Sequence, residues 1–309
     1  MIITVTMNPS LDMAYPVPHL IIDDVNRVTN VSKTAGGKGL NVTRVLKQLG
    51  ASVVATGLIG GNIGRFITEQ LGATDIAHDF YEISGESRHS IAILHDEGKQ
   101  TELLETGPEI SELELAGFLE KFVGLTKDVA ALTISGSLPP GVPQDFYQKL
   151  INLVKVPVLL DSSGKTLAAS LAGQRKPFLI KPNLSEIQEL VGVELSLDNL
   201  EQLKAVLQGE TFTDIEWLVI SMGSQGALAK HNEHFYRVEI PKIAVVNPVG
   251  SGDATLAGLA YSVEKGLSDE ELLKTGMVCG MLNAQEHQTG WINPANFSEL
   301  FEKIIVTKI

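Results

Sequence analysis

Six short runs of mostly apolar, often β-branched residues recur along this 309-residue chain, at positions 2–7, 53–58, 130–134, 156–160, 178–180 and 217–220. Most are continuously apolar rather than alternating, which suits strands covered on both faces in a mostly parallel sheet. Parallel neighbours need crossovers, and helical patterns fill the intervals, for example 40–49 with Gly50 behind it, 143–154, and 256–265 with Gly266 behind it. Glycine just past a helix is a common C-terminal stop. The rhythm predicts a doubly wound α/β domain. Each run gives way to polar, turn-forming residues: Asn8-Pro9, Gly60-Gly61, Ser135-Gly136-Ser137, Asp161-Ser162-Ser163-Gly164, Lys181-Pro182-Asn183 and Ser221-Met222-Gly223. Open parallel sheets bind ligands beyond the carboxyl ends of their strands. These six stretches therefore converge on one candidate site.

Two segments break the rhythm. Residues 13–34 and 88–106, the latter around Asp96-Glu97-Gly98, alternate apolar and polar side chains. Alternation predicts half-exposed antiparallel strands, here a small flap on the main sheet. No tandem repeat or low-complexity linker marks a second domain, so residues 1–309 are read as one unit.

The formal net charge of -13 argues against nucleic acid or an anionic membrane as the main partner. No apolar run approaches membrane-spanning length and the N-terminus lacks a basic leader region, which predicts a cytoplasmic protein. The single cysteine, Cys279, excludes an internal disulfide and a cysteine-built zinc site. His231 and His234 lack a third metal ligand nearby. A phosphate-handling protein this acidic must gather its cations locally, so lysines and arginines beside glycines carry weight.

Two glycine loops meet that requirement. Asn247-Pro248-Val249-Gly250-Ser251-Gly252-Asp253 runs straight into an apolar, small-residue helix. Glycine permits close approach to a ligand, and a helix start presents unpaired N–H groups to an anion. A carboxylate inside such a cradle makes chemical sense if it accepts a proton from whatever attacks the anion, which points to phosphoryl transfer. The structural alternative is an acid stabilised by the helix dipole. The second loop, Thr34-Ala35-Gly36-Gly37-Lys38-Gly39-Leu40-Asn41, also opens a helix. It is not a P-loop, because Gly39 stands where Ser or Thr must follow the lysine. Taken alone it reads as a tight turn with a solvated lysine. Asn183-Leu184-Ser185-Glu186 likewise reads first as a helix-capping pair.

Together, Gly36-Gly37-Lys38-Gly39-Leu40-Asn41 and the 247–253 loop resemble both signature motifs of the ribokinase-like, or PfkB, carbohydrate kinases. Thr6-Met7-Asn8-Pro9-Ser10-Leu11-Asp12 and Ser135-Gly136-Ser137-Leu138-Pro139-Pro140-Gly141 are similar to runs of its hexose-phosphate branch, above all to tagatose-6-phosphate kinases, with 1-phosphofructokinases and minor 6-phosphofructokinases close behind. The resemblance implies a three-layer αβα sandwich with a small β lid, and an enzyme that uses ATP and Mg²⁺ to phosphorylate the 1-hydroxyl of tagatose 6-phosphate.

It also implies roles. Asp253 would be the general base, beside an anion hole formed by the N–H groups of Gly250, Ser251 and Gly252. Asp12 and Asn41 would contact sugar hydroxyls, with Gly36 and Gly37 allowing close approach and Lys38 and Ser137 nearby. Arg88 and Arg27 would hold the phosphate already on the sugar. Lys181 would lie over the ATP phosphates, with Asn183 and Glu186 organising magnesium and Asp161 close to the metal. Ser221, Gly223 and Gly226 match the nucleotide loop, and Asn283, in a helix over 280–286, would pack the adenine. Family flaps pair between subunits, so a homodimer through the lid is expected.

Overall fold

The computed structural model describes residues 1–196 and 199–309. In chain order its strands are β1 (Ile2–Thr6), β2 (Ser10–Pro16), β3 (Ser32–Gly36), β4 (Val53–Gly60), β5 (Ala77–His78), β6 (Tyr81–Ile83), β7 (Arg88–His95), β8 (Lys99–Leu104), β9 (Ala131–Ser135), β10 (Val158–Asp161), β11 (Leu179–Ile180), β12 (Trp217–Ser221), β13 (Ala227–His231), β14 (His234–Glu239) and β15 (Ile305–Lys308). The α-helices are α1 (Lys38–Gln48), α2 (Gly61–Ala73), α3 (Glu112–Leu125), α4 (Phe146–Leu153), α5 (Gly164–Ala172), α6 (Leu184–Val191), α7 (Leu200–Leu207), α8 (Ser251–Lys265), α9 (Asp269–Ala284) and α10 (Phe297–Lys303).

The main sheet has the order β15-β14-β13-β12-β11-β10-β9-β1-β4-β5, with β6 also paired to β4. Pairing is parallel from β12 through β5 and antiparallel across β13, β14 and β15. All six apolar runs read from the sequence become strands of this sheet. Alternate residues on each strand feed opposite layers, as the twofold period of a strand requires. Ile3, Leu132, Leu160, Leu218 and Ile220 join the side chains of α3 through α7 in one core. Ile2, Ala131, Leu159, Trp217 and Val219 join those of α1, α8, α9 and α10 in another. Two helical layers thus enclose one sheet, the αβα sandwich that the resemblance implies.

A second sheet has the order β3-β2-β7-β8. Its central pair, β2 and β7, is parallel rather than antiparallel, and only the outer pairs are antiparallel. Alternation of polarity reports one wet face, and it cannot distinguish the two strand directions. Within 13–34 only the two ends are strand. Residues 17–31 form an irregular excursion, held in part by the Asn26 amide, which donates to Ile21 O at 2.7 Å. Leu11, Met13 and Ala35 anchor the inner face on Ile59, Ile63 and Ile67 of β4 and α2, whereas every residue of β8 is exposed. Among the described residues no helix is long and apolar enough to cross a membrane.

Helix limits differ from the sequence periodicity mainly at their starts. The helix expected over 256–265 begins at Ser251, and the one expected over 280–286 runs Asp269–Ala284. The α8 extension, Ser251 to Thr255, consists of small residues and one acid, which carry little apolar periodicity, and the α9 extension opens on the acids Asp269, Glu270 and Glu271. A Cβ on Gly258 would stand 2.6 Å from Thr275 O.

Candidate active site

Thr6, Ser135, Asp161 and Ser221 are the last residues of β1, β9, β10 and β12, and all four line one cleft of about 480 Å³ at the carboxyl edge of the main sheet. Second-sheet residues Ser10, Asp12, Arg88, Ser90 and Leu104 form the facing wall. The cleft is polar, and the Oγ atoms of Thr6 and Ser135 are buried there with no hydrogen-bond partner.

Two glycine-opened helices point into this space. At α1 the N-cap is Gly37, with φ of 103°. A Cβ on Gly36 would fall 1.9 Å from Asp12 Cγ, so only glycine leaves room for that carboxylate. Ser10 Oγ donates to Asp12 Oδ1 at 2.6 Å, and burial pushes the Asp12 carboxyl upward. At α8 the N-cap is Gly250 in the left-handed region, φ 83°, where a Cβ would meet Thr289 Cγ2 at 2.5 Å. The expected anion hole is modified here. Ser251 N–H is spent on Pro248 O at 3.2 Å, closing the turn, so it is not free for a ligand. The available donors are the N–H groups of Gly250 and Gly252 together with that of Asp253 itself, which lie before or within the first helical turn and lack acceptors there.

Asp253 is buried and accepts 2.7 Å from Asn41 Nδ2 across the cleft. Burial and the neighbouring Asp161 carboxylate raise its pKa to about 6, against the opposing pull of Lys38, Asn41 and Lys181. Asp161 is held between Lys181 Nζ at 3.2 Å and Lys38 Nζ at 3.4 Å. Burial pushes it upward, but the two ammonium groups outweigh that and keep it ionised below the ordinary range. Lys38, beside Asp161, is pushed up to about 12. Lys181 Nζ also lies 3.3 Å from where a Cβ on Gly252 would sit, so its charge reaches the start of α8.

Asn183 and Glu186 form a complete capping box on α6, with both reciprocal bonds at 2.9 Å, and both line the cleft. Only Glu186 Oε2 is used by the cap. Both oxygens of Asp161 are engaged by lysines, Oδ2 by Lys181 and Oδ1 by Lys38. Among the described residues no three histidine, cysteine or carboxylate side chains gather as a metal cage. A magnesium ion that keeps most of its waters fits Glu186 without one.

A second cavity of about 490 Å³ adjoins the first, sharing Ser221 and Gly252. It is apolar, lined by Ile240, Ile243, Val245, Met277 and Met281, with Gly223 and Gly226 at its mouth. None of those apolar residues was singled out from sequence. Asn283 was, but it does not line the cavity. It is fully buried, donates to Val249 O at 2.9 Å and accepts from Gly290 N at 2.8 Å, so it braces the Gly250 loop from behind. Arg27 is exposed on the 17–31 excursion and does not line the cleft of the single chain. Arg88 does reach the cleft, tethered by its Nε to Asn8 O at 3.2 Å. Ser137 lines it, and Tyr147 Oη donates to Gly136 O at 3.1 Å to fix that loop. The strongest omission is Arg44, buried behind Asn41.

Comparison with known proteins agrees with this geometry. Residues 7–296 match the pfkB family carbohydrate kinase model. Escherichia coli phosphofructokinase-2, solved with potassium, is 27% identical with a TM-score of 0.89, over 97% of this chain and 98% of that one. A Staphylococcus aureus protein described provisionally as a phosphofructokinase is 28% identical with a TM-score of 0.84, over 100% and 99%. A Thermotoga maritima protein described as a possible 1-phosphofructokinase shares the fold at 24% identity and a TM-score of 0.88, over 100% and 99%. The chain belongs to the pfkB family of carbohydrate kinases.

Proposed function

We propose that this pfkB carbohydrate kinase transfers the γ-phosphoryl group of ATP to the 1-hydroxyl of D-tagatose 6-phosphate, giving D-tagatose 1,6-bisphosphate in the cytoplasm as a step of galactose or lactose breakdown. The observation that carries the mechanism is the meeting of an apolar and a polar cavity at the N-terminus of α8, with Asp253 on the polar side. Adenine suits the apolar cavity. The triphosphate then passes Ser221 and Gly252 with its γ-phosphoryl group at the helix start, where the free N–H groups face developing negative charge. Lys181 and Lys38 supply the local cations that an acidic chain must concentrate. Glu186, with Asn183 beside it, would hold magnesium through water, and the ion would supply positive charge to offset that of the phosphates.

The sugar lies between Asp12, Asn41 and the glycines at 36 and 37, with Arg88 and Ser137 toward its phosphate. Asp253 orients the attacking hydroxyl. In a loose transition state the proton leaves late, so a carboxylate well below the basicity of an alkoxide suffices. The second sheet acts as a lid over this space, excluding the water that would otherwise take the phosphoryl group. We also propose that two copies pair through the lids, whose outer strand exposes Leu103 and Leu104.

A second reading, transfer to fructose 6-phosphate or fructose 1-phosphate, draws on the names of the similar structures, one of which is the E. coli enzyme bound to fructose-6-phosphate. Measuring kcat/KM with MgATP for tagatose 6-phosphate, fructose 6-phosphate and fructose 1-phosphate decides between them. Preference for tagatose 6-phosphate is expected, and preference for either fructose phosphate would replace the substrate while leaving the mechanism in place.

A further inference from the structure

Arg44 lies on α1 one turn after Asn41 and is only 8% exposed, yet among the described residues no carboxylate forms an ion pair with it, and Asp12 and Asp253 act on it only through space. Its Nη1 donates to Ala35 O and its Nη2 to Asn41 Oδ1 and, at 3.3 Å, to Thr289 O, while Nε has no partner. Keeping a guanidinium dry on neutral acceptors is costly, and an apolar side chain would serve the packing better. What the cation does accomplish is geometric. An amide can present either its oxygen or its nitrogen to a neighbour. With Oδ1 of Asn41 claimed by Arg44, Nδ2 must face Asp253, where it donates at 2.7 Å.

Building on the role of Asp253 proposed above, we infer that Arg44 is a positioning residue of the active site: it locks the Asn41 amide toward the Asp253 carboxylate and, through Thr289, ties the first glycine loop to the second. The second link is short. Thr289 Cγ2 backs Gly250, and Gly290 N–H donates to Asn283, which in turn holds Val249 O. One buried cation thereby aligns the proton acceptor and supports the anion cradle from behind.

The groups facing Asp253 are Asp161 from β10, Lys181 just after β11, and Lys38, Asn41 and, through space, Arg44 from α1. A donated N–H and a nearby cation both favour the ionised carboxylate, so losing Arg44 must raise the pH at which Asp253 ionises. The test is a ¹³C titration of Asp253, its carboxyl resonance identified by its absence in Asp253→Asn, in wild type, Arg44→Met and Arg44→Lys, alongside kcat and KM for ATP. Wild type should titrate near pH 6. Arg44→Met should titrate higher, with kcat down about 10–100-fold and KM for ATP nearly unchanged. Arg44→Lys keeps the charge but lacks the planar fork, so it should recover part of the titration shift and little of kcat. Superimposable Asp253 titrations and turnover in either variant would overturn the inference, and if Arg44→Met does not fold, Arg44→Lys decides alone. The titration needs no sugar, so it still reads the Arg44–Asn41–Asp253 linkage if the proposed phosphoryl transfer fails.

Discussion

The helices α1 and α8 open on the same glycine device and carry opposite charges in their first turns. Each has a left-handed glycine at its N-cap, φ 103° at Gly37 and 83° at Gly250, and each aims its first turn into the same cleft. The first turn of α1 carries no acid and one lysine; that of α8 carries Asp253. A bare helix start attracts anions in both cases. Lys38 reinforces that field, but Lys38 is 44% exposed and its partner Asp161 is buried. Asp253 offsets the field that an incoming anion meets, while the helix start stabilises the carboxylate itself and Asn41, on the other helix, donates to it. The backbone device is common to both loops. In the proposed function their division of labour comes from the side chain next in line, with α1 receiving a sugar and α8 receiving the group that is transferred.

That division can be broken one loop at a time. Adding a methyl group at the second loop, Gly250→Ala, forces a left-handed backbone on an L-residue and drives Cβ to 2.5 Å from Thr289. It should misalign the cradle and lower kcat by about 10²–10³-fold. The matching change at the first loop, Gly36→Ala, displaces the Asp12 carboxylate and should raise the sugar KM while leaving the KM for ATP in place. Equal effects of the two variants on kcat would erase the distinction between the loops.

The cations sharpen it at smaller scale. Lys181 and Asp161 are 5% and 3% exposed, so Lys181→Met strands a buried carboxylate on one remaining partner and should cost about 3 kcal/mol in urea unfolding. Lys38→Met removes a half-solvated partner and should cost less than about 1 kcal/mol. Similar losses would show that Asp161 treats both lysines alike.

The pH response is the subtlest contrast. In the proposed mechanism Asp253 acts as a carboxylate, so kcat/KM should climb through about pH 6 and level off above it. For stability the sign reverses. A carboxyl whose folded pKa is raised favours the protonated state in the fold, so its contribution is present below about pH 4 and lost as pH rises through about 6. Asp253→Asn should therefore unfold about 1–3 kcal/mol later than wild type at pH 8 and together with it at pH 4. A variant no more stable than wild type at pH 8 would mean that the carboxylate is better solvated than its surroundings indicate.

Much of this was legible in the chain. The six apolar runs specify the sheet because a doubly covered strand must be apolar throughout, and the polar residues after them mark the site edge. Both glycine loops, and the capping pair Asn183 and Glu186, are local patterns and appear where expected. The place of Arg27 was not legible, because a charge on an irregular excursion has no periodicity to aim it. Asn283 was placed on the correct helix, but which face it shows depends on Val249 and Gly290, distant in sequence. The free N–H of Asp253 and the spent one of Ser251 depend on how the Pro248 turn closes. Arg44 left a faint trace, since positions i and i+3 share a helix face, so a basic residue behind Asn41 could have been asked what it holds.

The most direct test of the whole account is single-turnover phosphoryl transfer by Asp253→Ala with MgATP and tagatose 6-phosphate at pH 8, with ATP affinity measured on the same preparation. Loss of about 10³-fold or more in rate, with ATP affinity within a few-fold of wild type, is the predicted result. Transfer at a near-normal rate would contradict it and remove Asp253 from the chemistry.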